Sequence, residues 1–447
     1  MSKIIYDPRV SARAAESGSR EALVAYQAEH LQRTMKLVAA SPYWNARFKE
    51  TGFDPASITH PDELYAAPTL DKHQYAAALA DSPQTYGGLM TMPIQTVNEA
   101  GSIIYRTTGT SGKQGNFLNT MEGFDVFSLQ GHEMIKEAGG KPGDAILISW
   151  PLFFWAASWG FYHGCRMGPY LAVPGGAPAD TRMRLDLIRQ YRPSIIVATP
   201  NYAVTLGREA RANDMVLSDF GVRGLLMGGE TFGESKRKLI EELWGIPGGT
   251  RNFYGITEGG PLFAGECEYQ DGLHLFEGDT IHQFWKPDTN EPAAPGEQAE
   301  HVFTSISQTA MATWFNFRTR DGATYTDEPC KCGRSTRRMW ISERLDDMVK
   351  VKGINVFASG VEDLLAPMEG VGGEFKLVID SVDSRDVLTL QVEVDPDRDT
   401  AAVNAGIRDA MTTAWGINFD VECLAPETLA RTEGKARRWR DNRPKDD

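Results

Sequence analysis

The chain has 447 residues, of which 41% are hydrophobic and 24% charged. One hydrophobic core stops growing near ~250–300 residues, so two or three domains are expected and wholesale disorder is excluded. The 60 acidic residues outnumber the 46 basic ones, for a formal charge of -14. That bias repels phosphate backbones and argues against general nucleic-acid binding, yet leaves room for one locally basic nucleotide pocket. No apolar run reaches the ~20 residues a membrane span needs, so no membrane partner is expected. Residues 1–7 lack the apolar stretch of a secretory signal, which predicts a cytoplasmic protein. Five cysteines are too few for a disulfide framework.

Along the chain, Val24, Leu31, Met35 and Val38 recur at helical spacing and predict an amphipathic helix over residues 20–39, started by Gly18 and Ser19. From about 100 to 260, short apolar runs alternate with helical patterns. Residues 145–149, 194–198 and 224–227 read as buried strands, and 201–213 and 233–244 as the helices after the last two. This is the pattern of a parallel α/β sheet, whose ligands sit beyond the carboxyl ends of the strands. Prolines then punctuate β-like runs at 299–305 and 313–317, which predicts a smaller antiparallel β region. After about 345 a separate α+β unit is expected, with strands at 375–379 and 387–394 and a helix at 400–413. The charged residues 437–447 read as a frayed tail.

Four segments carry chemistry. Thr107, Thr108, Gly109, Thr110, Ser111, Gly112 and Lys113 follow a strand-like run at 102–106. Small hydroxyl residues and glycines let backbone N–H groups approach phosphate oxygens, and Lys113 adds charge. Only two residues separate Gly109 from Gly112, so this is not the P-loop of NTPases, which needs four. In the second segment, residues 252–260, Thr257 and Glu258 offer oxygen ligands for the Mg²⁺ of ATP, and Tyr254, next to Gly255, can stack on a flat base. The third holds Asp321, able to accept both hydroxyls of a ribose, and then Arg344, Asp346, Lys350, Lys352 and Gly353. The fourth is Lys435, in a basic stretch near the C-terminus.

In this order and at these distances, the four segments resemble the acyl-adenylate-forming superfamily, and within it phenylacetate-CoA ligase and its relatives, over residues 20–440. The resemblance implies an α/β fold: a large N-terminal domain of α/β sheets with a small β region (1–343), a hinge (344–346) and a small mobile α+β C-terminal domain (347–447). It implies an AMP-forming acid–CoA ligase using ATP, Mg²⁺ and CoA, in relatives that are often homodimers. Residues 105–113 match the phosphate loop, Tyr254 to Glu258 the Tyr-Gly-x-Thr-Glu motif, Asp321 the ribose-binding aspartate, Asp346 the hinge and Lys435 the catalytic lysine. Lys350, Lys352 and Gly353 would line the pantetheine tunnel once the small domain has turned. Glu343 stands where relatives usually carry glycine.

Cys267, His274, Cys330 and Cys332 make a set of three thiols and one imidazole suited to structural zinc, with Cys-x-Cys tighter than the usual spacing. Some relatives carry such a site at the same place. Cys165 and Cys423 read as core. Residues 150–162 correspond to one wall of the acid pocket in relatives, with Phe154, Trp155, Ser158, Trp159 and Tyr162 as lining candidates. Gly228, Gly229 and Glu230 would form the opposite side near the adenine. Two inward tryptophans would leave a small cavity for a compact acid: arylacetic or benzoic, or a short branched 2-hydroxy acid such as 2-hydroxyisobutyrate. The rival readings are an adenylating enzyme that loads a carrier-protein thiol and a non-catalytic nucleotide-binding relative. Retention of Lys113, Glu258, Asp321 and Lys435 counts against the second.

Overall fold

The computed structural model describes residues 8–81, 85–106, 115–287, 289–307, 310–311, 314–345, 349–351, 354–356, 358–382, 385–416, 419–429 and 438–443. Two compact units emerge, Met1–Gly229 with Glu241–Ile341, and Glu230–Ile240 with Ser342–Asp447. No helix among the described residues is long and apolar enough to cross a membrane.

The first unit opens with helices α1 (Pro8–Glu16), α2 (Arg20–Ala40), α3 (Pro42–Thr51), α4 (Lys72–Asp81) and α5 (Ile94–Glu99). The helix expected over 20–39 is α2, and the Ser19 hydroxyl caps it by accepting from the Ala22 N–H. A hairpin follows, β1 (Ser102–Arg106) and β2 (Asn116–Thr120), antiparallel with Arg106 opposite Asn116. Beyond it the chain alternates α6 (Met121–Glu137), β3 (Ala145–Ile148), α7 (Ala156–Met167), β4 (Leu171–Pro174), α8 (Thr181–Tyr191), β5 (Ile195–Ala198), α9 (Pro200–Ala212), β6 (Gly224–Met227) and α10 (Glu234–Trp244). It then runs through β7 (Thr250–Ile256), β8 (Gly260–Glu266), β9 (Leu273–Leu275), β10 (Thr280–Trp285), β11 (Ala299–Ser305), β12 (Phe317–Thr326) and β13 (Arg338–Arg344).

These strands form one sheet in the order β10-β11-β12-β13-β9-β8-β7-β6-β5-β3-β4. From β4 to β7 the pairs are parallel, and from β7 onward the determined pairs are antiparallel. β3, β5 and β6 are buried at every residue, as strands covered on both faces must be. Helices α6 and α7 cross closely because they meet at glycines: a Cβ on Gly131 would lie 2.7 Å from the Gly160 carbonyl oxygen.

Two expectations fail. Residues 314–316 are not a strand; β12 starts at Phe317. The Asn316 side chain instead donates to the backbone oxygens of Leu64 and Ala67, which holds it out of the ladder. The charged tail is also not frayed throughout, as the second unit makes clear.

Residues 234–240 of α10 and 342–344 of β13 fall in the second unit, which also contains β14 (Val349–Val351), β15 (Ile354–Val356), α11 (Ala358–Leu365), β16 (Val371–Val382), β17 (Arg385–Val394), α12 (Thr400–Trp415), β18 (Asp420–Leu424) and β19 (Trp439–Asp441). Its main sheet runs β18-β17-β16-β19. Leu377, Ile379, Leu390 and Val392 pack there against Ile407 and Met411. The tail strand β19 pairs in parallel with Leu377–Ile379. Arg438 beside it lies 4.5 Å over the Phe375 ring and pairs with Glu374 Oε2 at 2.7 Å, so this charged residue is held by a ring face and a carboxylate.

Candidate functional site

The carboxyl end of β7 carries Tyr254, Gly255, Thr257 and Glu258 into a tight turn before β8. Gly255 is required there, since a Cβ would fall 2.0 Å from the Pro261 carbonyl oxygen. Thr257 is half-buried in the turn and Glu258 is 3% exposed. A buried carboxylate needs a partner, and Lys72 supplies one, with Nζ 2.8 Å from Glu258 Oε1. Lys72 begins α4. The backbone there is fixed by a reciprocal cap: Gln74 N–H donates to Asp71 Oδ1 at 2.8 Å, and Asp71 N–H to Gln74 Oε1 at 3.0 Å.

Asp321 reaches the same region from β12. Between Glu300↔Gly322 and Val302↔Arg318 the register of β11 and β12 shifts, so 319–321 face His301 alone. Such a bulge re-aims a side chain. Arg320 takes the left-handed conformation within it, φ 61°. Buried Glu300 steadies the bulge by accepting from Arg318 Nε at 3.0 Å and from the Arg320 N–H at 3.3 Å. The result brings Asp321 to Tyr254, whose hydroxyl donates to Asp321 Oδ2 at 2.6 Å. Behind Tyr254 lie two histidines: His301 Nδ1 is 3.3 Å from the Tyr254 hydroxyl, and His301 Nε2 is 2.8 Å from His282 Nδ1. Burial pushes the His301 pKa down to about 4 against a small opposing effect of Asp321, and pushes that of His282 well below its usual value.

The residues expected to cradle phosphate, Thr107, Thr108, Gly109, Thr110, Ser111, Gly112 and Lys113, lie outside the described residues, as do Asp346, Lys352, Gly353 and Lys435 and the side chain of Lys350. The residues flanking 107–113 are described. Arg106 Nε donates to Asn116 Oδ1 at 2.8 Å, and the Tyr75 hydroxyl donates to the Asn116 carbonyl. Arg344 ends β13, half-buried, in the second unit. Gly228 and Gly229 follow β6 in the first unit; Gly229 has φ 84° and Glu230 belongs to the second.

Of the acid-pocket candidates, Trp155 caps α7 and lies 6.0 Å from the Trp150 ring. The Phe154 ring sits 5.0 Å under the Arg106 guanidinium. Trp159 folds back on its own helix entrance, donating from Nε1 to the Phe153 carbonyl at 2.9 Å. Tyr162 stands on the exposed side of α7. Ser158 is fully buried, and its hydroxyl has no hydrogen-bond partner among the described residues.

A second cluster lies where β8, β9 and the β12–β13 connection meet. The donor atoms of Cys267, His274, Cys330 and Cys332 all fall within 4.8 Å of one another. Cys267 Sγ is 3.8 Å from Cys330 Sγ, and Cys332 Sγ is 3.3 Å from His274 Nε2. The pairing of Arg338 with His274 brings the two halves together. His274 Nδ1 contacts the Thr336 hydroxyl at 3.1 Å, the kind of outer contact that orients a ligating imidazole. Burial pushes the Cys267 thiol up to about 12 and the His274 imidazole down to about 3, while Cys330 is lowered by hydrogen bonds that outweigh its burial. Three sulfurs and a neutral nitrogen form a soft, closed donor set that fits Zn²⁺. Cys165 is buried in the core and Cys423 half-buried beside α12.

Sequence reasoning missed Lys72, His282 and His301. Both histidines lie on strands that are buried at every residue and carry other polar residues, so neither a pattern break nor a short motif marks them. Lys72 had no signal either, because its partner is distant in sequence.

Comparison with known proteins bears on this geometry. The family model "AMP-binding enzyme" matches residues 53–288, and "AMP-binding enzyme C-terminal domain" matches 353–443. Phenylacetate-coenzyme A ligase of Aromatoleum evansii is 28% identical over 445 residues, covering 96% of this chain and 97% of that protein. The enzyme of the same name from Escherichia coli (strain K12) is 28% identical over 440 residues, covering 96% and 97%. Among solved structures, 2-hydroxyisobutyryl-CoA ligase in the postadenylation state with R3-HIB-AMP matches with a TM-score of 0.84 at 23% identity, over 96% of this chain and 92% of that one. That likeness concerns the fold.

Proposed function

The chain belongs to the AMP-binding enzyme family and is an AMP-forming acid–CoA ligase, and on that premise we propose that its acid is compact and that the residues described above divide the reaction between them. The observation that carries the site assignment is the Tyr254–Asp321 hydrogen bond beside the Glu258–Lys72 pair. It brings a ribose acceptor from one segment to a flat ring and a metal-ready carboxylate from another.

A carboxylate is a poor electrophile. In the first half-reaction one of its oxygens attacks the α-phosphorus of ATP, and the P–O bond to pyrophosphate breaks, leaving an acyl-adenylate. Negative charge builds on the α-phosphoryl oxygens, so fixed cations and N–H donors lower the barrier. Lys435 is the cation for that charge, and residues 107–112 with Lys113 cradle the departing phosphates. Asp321 holds the ribose hydroxyls, Tyr254 stacks on the adenine, Gly228, Gly229 and Glu230 border it, and Arg344 also binds the nucleotide. Mg²⁺ supplied with ATP would be held by Glu258 and Thr257, whose oxygens suit a hard cation, and would neutralise phosphate charge. In the second half-reaction the CoA sulfur attacks the acyl carbonyl, the thiol loses its proton and AMP leaves. Lys350, Lys352 and Gly353 line the tunnel for that thiol arm after rotation about Asp346, which divides domain 1–343 from 347–447. Zn²⁺ on Cys267, His274, Cys330 and Cys332 would staple the β region and leave no open position for chemistry.

Phe154, Trp155 and Trp159 confine the acid to a small cavity. An arylacetic or benzoic acid and a short branched 2-hydroxy acid such as 2-hydroxyisobutyrate both meet that limit. The test is pyrophosphate release over arylacetic, benzoic, short hydroxy and branched acids, with and without CoA. Turnover of one or more of these compact acids is expected, with a long fatty acid left unused. Pyrophosphate release with the long fatty acid alone would reject the compact-acid reading, and adenylation followed by no CoA thioester would reject free CoA as acceptor.

A further inference from the structure

The two buried histidines behind Tyr254 take no part in the chemistry just derived. Their placement follows from the sheet. β10 and β11 are antiparallel with His282 opposite Phe303 and His301 opposite Phe284, so the histidines are diagonal neighbours on one face. Their rings stack, with centroids 5.1 Å apart and planes 19° from parallel. Both are fully enclosed, at 0% and 2% exposure for His301 and His282. A pair of imidazoles in such a place is costly unless its protons are well placed.

The hydrogen bonds settle where those protons go. Tyr254 has one hydroxyl proton, and it points at Asp321 Oδ2. The tyrosine oxygen can then only accept from His301, so His301 carries its proton on Nδ1. His301 Nε2 is left as a lone pair, which accepts from His282 Nδ1–H. His282 Nε2 ends the chain without a proton, and it has no partner among the described residues. A cationic ring at either position would bury an N–H with nothing to receive it, or set two donors face to face. The backbone repeats the tether. The Thr319 hydroxyl donates to the His301 carbonyl at 2.7 Å and accepts from the Asp321 N–H at 3.0 Å.

We propose that His301 and His282 are positioning residues of the ribose site: two neutral rings hydrogen-bonded in series that hold the Tyr254 hydroxyl on Asp321, and so set the direction from which that carboxylate receives the ribose hydroxyls. The proposal rests on the reading of Asp321 as the ribose acceptor. Without His301 the Tyr254 hydroxyl loses the donor that orients it, which weakens the charge-assisted hydrogen bond that fixes the plane of Asp321.

The test uses the full chain and two probes, AMP and 2′,3′-dideoxy-AMP, with dissociation constants measured by calorimetry. His301→Phe should weaken AMP about tenfold, roughly the worth of one hydrogen bond to a charged group. It should leave dideoxy-AMP within about twofold, because that nucleotide never uses Asp321. His301→Gln, whose amide can still donate to the tyrosine oxygen, should restore most of the AMP affinity. Nitrogen NMR of the wild type near pH 7 should find both histidines protonated on Nδ1. Equal weakening of both nucleotides by His301→Phe would mean packing damage alone and would overturn the proposal; so would unchanged AMP binding, or a proton on His301 Nε2. Asp321→Ala separates the two levels. If it weakens AMP while His301→Phe does not, the positioning role fails and the ribose assignment stands. If it does not weaken AMP although pyrophosphate release persists, the ribose assignment fails and the proposal falls with it.

Discussion

A histidine that is buried neutral makes folding sensitive to acid, and His301 and His282 are both of this kind. In the unfolded chain each titrates near ~6.5, whereas burial holds His301 at about 4 and His282 well below its usual value. Above the unfolded value both states carry neutral rings and the fold keeps its full stability. Below it the unfolded chain takes up protons that the folded one refuses, so stability falls as pH drops towards about 4. One such histidine costs about 1.4 kcal/mol per pH unit, or about 3 kcal/mol for His301 over that window. Denaturant unfolding at pH 7.5, 6 and 5 should therefore show a steep acid loss in the wild type and a shallower one in His301→Gln. Parallel losses in the two proteins would place the proton uptake elsewhere. Tyr254, Glu258 and Asp321 could be picked out from the sequence because each sits in a short motif with its own chemistry. The histidines and Lys72 could not. What defines them is a cross-strand diagonal and an ion pair that the chain closes only when folded.

Strands and helices were read well where burial dictates pattern. The runs at 145–149, 194–198 and 224–227 are continuous apolar stretches because both faces of the parallel strands are covered. Reading failed where a side chain overrode propensity. Asn316 donates its amide to the carbonyls of Leu64 and Ala67 and lies outside β12, while the charged tail pairs as β19 with β16, and Arg438 before it lies over Phe375 and pairs with Glu374. The cysteine–histidine cluster joins β9 to the β12–β13 connection, so its contribution belongs to elements. Metal analysis should find about one zinc per chain, the closed set accepting a single ion. Cys330→Ser should lose that zinc and lower the melting temperature by several degrees, at roughly 2–4 °C per kcal/mol in domains of about 150–250 residues and less in larger ones. The rate per folded molecule should stay within about twofold, because a structural ion touches no reacting atom. A wild type without zinc would remove the staple from the account.

At the scale of the whole molecule, the two half-reactions make opposite demands on one place. Adenylation needs a cation against the α-phosphate; thioester formation needs that space for a thiol. If Lys435 serves the first step and the turn about Asp346 serves the second, single substitutions should split the reaction. Lys435→Ala should lower adenylate formation about 100- to 1000-fold, as removal of one fixed charge from a transition state does, yet leave CoA attack on a supplied acyl-adenylate within about twofold. Asp346→Pro should do the reverse. Proline locks φ, so a residue that must change φ to turn the domain loses one of its two states while adenylation in the other continues. Pyrophosphate release and thioester formation, measured separately on each variant, check both arms. The pair of results matters more than either alone, since a merely damaged fold would slow both steps in both proteins. Only a device in which one residue acts and another turns can lose each step without the other.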